Sequence, residues 1–270
     1  MSTKVLALTG GHSYDVEAFR GYLGELHGCE VTWAEQPDGN ALIRSGEAAS
    51  YDALLCYDMP GITVKLRNPI RTEAPDAALK QGWRRLLDAG TGVVFLHHAL
   101  ASWPEWPEFA EIMGGIFLYR AGTVRGERHP DSGYIEHVPE EFRVVRDHPV
   151  TRGLPERFRL AGDEPYLCPV FEDSVEVLVR RVGYEEAGAY LSSEHTVLTG
   201  EERPCAGASS LVSDAAAWVR RERNSRIVYL QPGDNGSSFK SPHFVHLTRN
   251  ALAWVSAVRS CGSSAAAGEE

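Results

Sequence analysis

Gly92-Val93-Val94-Phe95-Leu96-His97-His98-Ala99 is a short apolar run that stops abruptly at two histidines. A run of this length, opened by glycine, reads as a buried strand. Before it, Leu79, Trp83, Leu86 and Leu87 recur at helical spacing after Pro75, and Gly90 ends that helix. Further back, Asp52 precedes the apolar run Ala53-Leu54-Leu55-Cys56-Tyr57, which ends at Asp58. Residues 29–33 form another strand candidate, and residues 4–8 the first, ending in Gly10-Gly11-His12. Between those two, Val16, Phe19, Leu23 and Leu26 have helical spacing, with Ser13 or Asp15 as N-cap and Gly28 as stop. Strand and helix thus alternate through the first hundred residues. Alternation of this kind predicts a three-layer α/β fold, with a mostly parallel sheet and helices on both faces.

The C-terminal half adds β elements. Strand candidates lie at 134–138, 142–145 and 175–182, and residues 216–221 and 226–230 flank Asn224-Ser225 as a hairpin. Residues 108–113 read as a short helix after the loop 103–107. Residues 183–215 carry no period. Ser241-Pro242 opens a last helix with Phe244, Leu247, Ala251 and Val255 inward. One domain over 1–259 is expected, followed by a small, polar, disordered tail at 260–270.

Composition sets further bounds. The 270 residues are 43% apolar and 24% charged, ordinary for a globular chain. No run approaches the ~18 apolar residues of a membrane span. A net charge of −10 argues against a nucleic-acid or anionic-membrane partner. The five cysteines include no Cys-x-x-Cys pair, so a zinc ribbon and a disulfide framework are excluded, and reduced thiols in a cytoplasm are expected. Gly10-Gly11-His12-Ser13 lacks the dinucleotide fingerprint and any P-loop lysine.

In open α/β sheets the ligand crevice lies beyond the carboxyl ends of the strands. His12, Asp58 and His97-His98 each follow a strand, so one topology would gather them at one edge. His97 also stands where a nucleophile elbow displays its central residue. A histidine there can act as general acid/base or metal ligand. Its neighbour His98 reads as the packed one of the two. Asp163-Glu164 beside Tyr166 offers two carboxyls, and Asp234-Asn235 follows the strand at 226–230.

Together these segments resemble the trehalose-utilisation (ThuA-like) family, whose fold is similar to class I glutamine amidotransferases. The matching stretches include Leu8-Thr9-Gly10-Gly11-His12, Tyr51-Asp52-Ala53-Leu54-Leu55, Phe95-Leu96-His97-His98-Ala99 and Ser102-Trp103-Pro104-Glu105-Trp106. Gly114-Gly115-Ile116-Phe117, Asp147-His148-Pro149-Val150, Asp163-Glu164-Pro165-Tyr166 and Arg226-Ile227-Val228-Tyr229 follow in the family's order. The ordered set is specific where no single motif is. One departure is Gly233-Asp234-Asn235, where the family usually has Gly-His-Asp or Gly-His-Glu. With no cysteine at the elbow and no His-x-Glu, glutamine hydrolysis is not expected.

The resemblance implies carbohydrate catabolism, alongside enzymes that make 3-keto sugars. The expected chemistry is enolisation or isomerisation of a sugar or keto-sugar, with His97, Glu164 and His12 catalytic. His98, Trp103, Tyr166, Asp163, Asp58, Tyr57, Asp234 and Asn235 are the expected substrate-binding groups. A divalent metal such as zinc on His12, His97 and Glu164 is one alternative, giving a hydrolase-like enzyme. A non-catalytic sugar-binding or regulatory protein is another. The expected partner is a small-molecule carbohydrate, with self-association into a homo-oligomer left open.

Overall fold

The computed structural model describes residues 2–183, 187–205 and 213–263. Its main sheet has nine strands: β1 (Thr3–Thr9), β2 (Cys29–Glu35), β3 (Ala53–Cys56), β4 (Gly92–Leu96), β5 (Val138–Val144), β6 (Arg157–Asp163), β7 (Glu176–Val182), β8 (Ala215–Glu222) and β9 (Ser225–Leu230). Their spatial order is β6-β5-β7-β8-β9-β4-β3-β1-β2. From β2 through β9 the pairs are parallel, and from β9 to β6 they are antiparallel. The parallel part is the expected one. The antiparallel extension is longer than the sequence suggested, because β6 has only a weak alternating signal and was not legible as a strand.

The inner parallel strands are apolar on both sides, and successive side chains serve opposite layers. Leu6, Leu54, Val93, Phe95 and Tyr229 join one core cluster, whereas Val5, Leu55, Val94, Leu96 and Leu230 join the other. The first cluster is covered by α2 (Asp38–Ser45), α3 (Ala77–Asp88) and α4 (Pro107–Met113). The second is covered by α1 (Val16–Gly24), α6 (Gly236–Phe239) and α7 (Pro242–Ser263), while α5 (Ser193–Thr199), in the irregular region, adds Val197 to the first cluster. On α3, Leu79, Trp83, Leu86 and Leu87 are buried as their spacing requires, each worth roughly 1.5–3 kcal/mol of apolar burial. Asp76 caps it by accepting from the Leu79 amide. For α1 the cap is Asp15, not Ser13. Helix α2 has no obvious signal in the sequence, since its cap position is Pro37 and it makes no side-chain cap bond.

The antiparallel strands carry register shifts in β5 and β7. Such bulges bend and twist a sheet. Phe142, Phe158, Leu160 and Leu178 consequently pack in the same cluster as Phe239 and Phe244 of α6 and α7. The far strand β6 is thereby folded back until Asp163, at its end, meets the loop after β9. Within 183–215 the structure has the short strand Leu191–Ser192 and α5, while 184–186 and 206–212 lie outside the described residues. The residues expected to form the tail lie outside them too from 264 onward.

Candidate active site

Four groups converge at the carboxyl edge of the parallel strands. His97, His98, Glu164 and Asp234 each offer a nitrogen or oxygen, and all these atoms lie within 4.8 Å of one another. His97 follows β4 directly and has φ +36°, the strained left-handed turn of an elbow. Its side chain is fully buried. Nδ1 lies 2.6 Å from the Gln231 carbonyl oxygen, which can only accept, so Nδ1 carries a proton. Nε2 is then turned to Glu164 Oε2 at 3.0 Å. Burial works to lower the His97 pKa, but the hydrogen bond and charge of Glu164, with Asp234 and Asp163, raise it to about 9. Burial raises the Glu164 carboxyl, and His97 holds it back.

His98 takes a different environment. Its ring stacks on His12, with centroids 3.8 Å apart and planes at 13°. Burial, then the neighbouring His12 and His97, hold its pKa well below the usual histidine value, so it stays neutral. Nε2 lies 3.8 Å from Asp234 Oδ1, and Nδ1 is buried without a hydrogen-bond partner. The packed, bonded histidine is therefore His97, and His98 is the partly open one, with 12% of its side chain exposed. His12 is brought beside the cluster but not into it. Its Nε2 faces the Tyr57 carbonyl at 2.6 Å and its Nδ1 that of Ser13 at 3.1 Å. Gly11 puts it there: at φ +90°, a Cβ would stand 2.4 Å from the Met59 carbonyl oxygen.

Two buried side chains hold the loops. Asp163 accepts from the amides of Gly233, Asp234 and Glu164 at 3.0–3.1 Å. Gln231 accepts His97 Nδ1–H at its carbonyl, donates Nε2–H to the Glu164 carbonyl, and accepts Arg181 Nη1–H at Oε1. Tyr57 donates its phenol to the Asp234 carbonyl, and Tyr166 lies 4.2 Å from the His97 ring. Tyr57 is wholly buried, so it positions the loop and offers no face to a sugar. Trp103 is buried with its ring closed against Gly61. The Asp58 carboxylate is taken by Gln36 Nε2 at 2.6 Å, and Asn235 caps α6 by accepting from the Ser237 amide.

Gln231, Arg181 and Glu140 escaped sequence reasoning. Gln231 had a signal, being the first polar residue after β9. Arg181 and Glu140 had none, because only strand register shows that a charged residue points inward. Glu140 is buried with neither oxygen hydrogen-bonded.

Little of the cluster reaches the surface, with the Glu164 and Asp234 side chains 13% and 18% exposed. A cavity of about 370 Å³, lined by Ile62, Ile70, Ile116, Leu118 and Phe171, contains none of the four groups. Chemistry rather than volume locates the site. Cys29, Cys56, Cys168 and Cys205 are free thiols, and none lies in the cluster. Among the described residues, no helix is long and apolar enough to cross a membrane.

The family model described as trehalose utilisation (ThuA) matches residues 4–255. No curated protein sequence matches the chain. A ThuA-like protein from Parabacteroides merdae superposes with TM-score 0.64 at 16% identity, over 95% of this chain and 90% of that one. A ThuA-like protein from Bacteroides uniformis does so with TM-score 0.61 at 19% identity, over 94% and 91%. A GMP synthase protein from Thermoplasma acidophilum shares the fold, with TM-score 0.52 at 12% identity over 97% and 99%. At these identities the superpositions speak to fold alone. With the family model spanning nearly the whole globular chain, the protein belongs to the trehalose-utilisation (ThuA) family.

Proposed function

We propose that this protein is an enzyme of carbohydrate catabolism that moves a proton beside the carbonyl of a small keto-sugar. One observation carries the proposal: His97, fixed by its Nδ1–H on the Gln231 carbonyl, presents Nε2 to Glu164 Oε2 at 3.0 Å, at the strand end where the fold displays its working residue. Enolisation needs a base for the carbon-bound proton and a donor for the oxygen that becomes negative. Glu164 is the base. The C–H bond breaks, its electron pair moves into the new C=C bond, and the carbonyl oxygen takes a proton from His97 Nε2. The former carbonyl carbon then takes a proton from Glu164 while the neighbouring hydroxyl returns one to His97 Nε2, which leaves the carbonyl on that neighbour and completes an isomerisation.

The test is an NMR time course with a 3-keto-disaccharide in D2O. The wild type should place deuterium beside the carbonyl or yield a second keto isomer. Glu164→Gln should abolish both. Line broadening without exchange in the wild type would make the protein a sugar binder and defeat the proposed reaction.

A further inference from the structure

We infer that His97, His98, Glu164 and Asp234 together bind one divalent cation of the zinc class. The inference rests on the proposal that this cluster is the working site, and it puts a metal where that proposal has a shared proton. His97 Nε2 lies 3.0 Å from Glu164 Oε2 and 3.9 Å from Asp234 Oδ1, and His98 Nε2 lies 3.8 Å from the same Asp234 oxygen. Ligands of a cation held at about 2.0–2.2 Å stand roughly 3–4 Å from one another. These separations already meet that requirement, so small side-chain adjustments complete the set.

Ring orientation points the same way. Histidines that bind metal commonly direct the other ring N–H at a carbonyl or carboxylate, which fixes the tautomer. His97 does this through Nδ1 to the Gln231 carbonyl, so its Nε2 lone pair points into the cluster. His98 is held by the stacked His12 ring, and its buried Nδ1 has no partner.

Charge adds to geometry. Four carboxyls crowd this region: Glu140, Asp163, Glu164 and Asp234. Positive charge reaches Glu140 from Arg181 and His97. Arg181, however, directs its Nη atoms at Gln231 Oε1 and at the carbonyls of Tyr166 and Ser213, not at a carboxylate. A cation at the cluster supplies what these residues lack. Two nitrogens with two oxygens select a zinc-class ion over calcium or magnesium, which prefer oxygen alone. Binding would displace the proton between His97 and Glu164. A keto-sugar's carbonyl oxygen, taken as a fifth ligand, would then meet a Lewis acid in place of the imidazolium.

The experiment uses the full chain, treated with a chelator, dialysed and titrated with Co2+. Expected are visible cobalt absorption saturating at about one ion per chain, displaced by Zn2+. His98→Ala and Asp234→Asn should each weaken binding about tenfold or more. His246→Gln, whose ring faces the Arg152 carbonyl instead, should bind like the wild type. Circular dichroism confirms folding, and the near-isosteric Asp234→Asn carries the test if His98→Ala does not fold. No cobalt absorption by the wild type, or equal binding in both folded variants, overturns the inference. Cobalt binding without deuterium exchange would keep the metal and remove the proposed reaction. Full-rate exchange in chelator-treated protein would keep the reaction and remove the metal from it.

Discussion

The two halves of the sheet do different work. In the parallel half, β3 and β4 are buried along their whole length and β1 and β9 almost so, with apolar side chains toward both layers. Those strands deliver His97, His98 and Asp234 from their ends and carry little polar chemistry inside. In the antiparallel half, β5, β6 and β7 alternate between covered and open positions, and some covered positions are charged. Glu140, Asp163 and Arg181 come from there, as does the turn that brings Glu164 to His97. The parallel half sets the place of the cluster, and the antiparallel half completes it.

The largest expected effect tests that division directly. His97→Ala should lower turnover of a keto-sugar by roughly 10²–10⁴-fold, the usual contribution of a positioned acid or base. Because the ring is buried and bonded at both nitrogens, the variant should melt lower as well, so turnover is compared per folded molecule, with the folded fraction taken from calorimetry on the same sample. A core change in the parallel half should lower stability alone. Leu54 is wholly buried, and Leu54→Ala should cost about 2–5 kcal/mol in denaturant unfolding while turnover per folded molecule holds. If turnover fell in proportion to stability, the division between the halves would collapse.

Glu140 sharpens the comparison through pH. Burial, then the nearby Asp163, raises its carboxyl from 4.5 to about 8. The folded state therefore favours its neutral form. That contribution is fully present below the unfolded value and is lost as pH rises through about 8. Glu140→Gln should flatten the fall in stability across this window, with its advantage over wild type largest at the alkaline end. Urea midpoints measured across the same range, unchanged in slope by the substitution, would show that Glu140 is already compensated. The smallest effect belongs to the parallel half's periphery. Asp76→Ala removes the α3 cap and should lower the urea midpoint only slightly, with the crevice and its turnover untouched.

How much of this was legible follows from the same contrast. Apolar runs ending in glycine or histidine announce parallel strands, because a strand covered on both faces has no choice but to be apolar. The polar residues at their ends, His97 above all, were visible for that reason. Strand β6 was not, since Arg157, Arg159 and Gly162 along it look like an exposed loop. Nor could the exchange of roles between His97 and His98 be read, because it depends on where Gln231 and His12 stand in space.

By itself, the sequence determined the layered α/β architecture, the family and the strand end that carries the two histidines of the cluster, since periodicity and chain order are local properties. Only the tertiary structure decided that Glu164 and Asp234 join His97 and His98 while His12 stacks alongside and Trp103 packs against Gly61. Those assignments depend on the curl of the antiparallel strands and on which face each inward residue takes. Both are set by register shifts and by the packing of β6 on α6, which no spacing along the chain encodes.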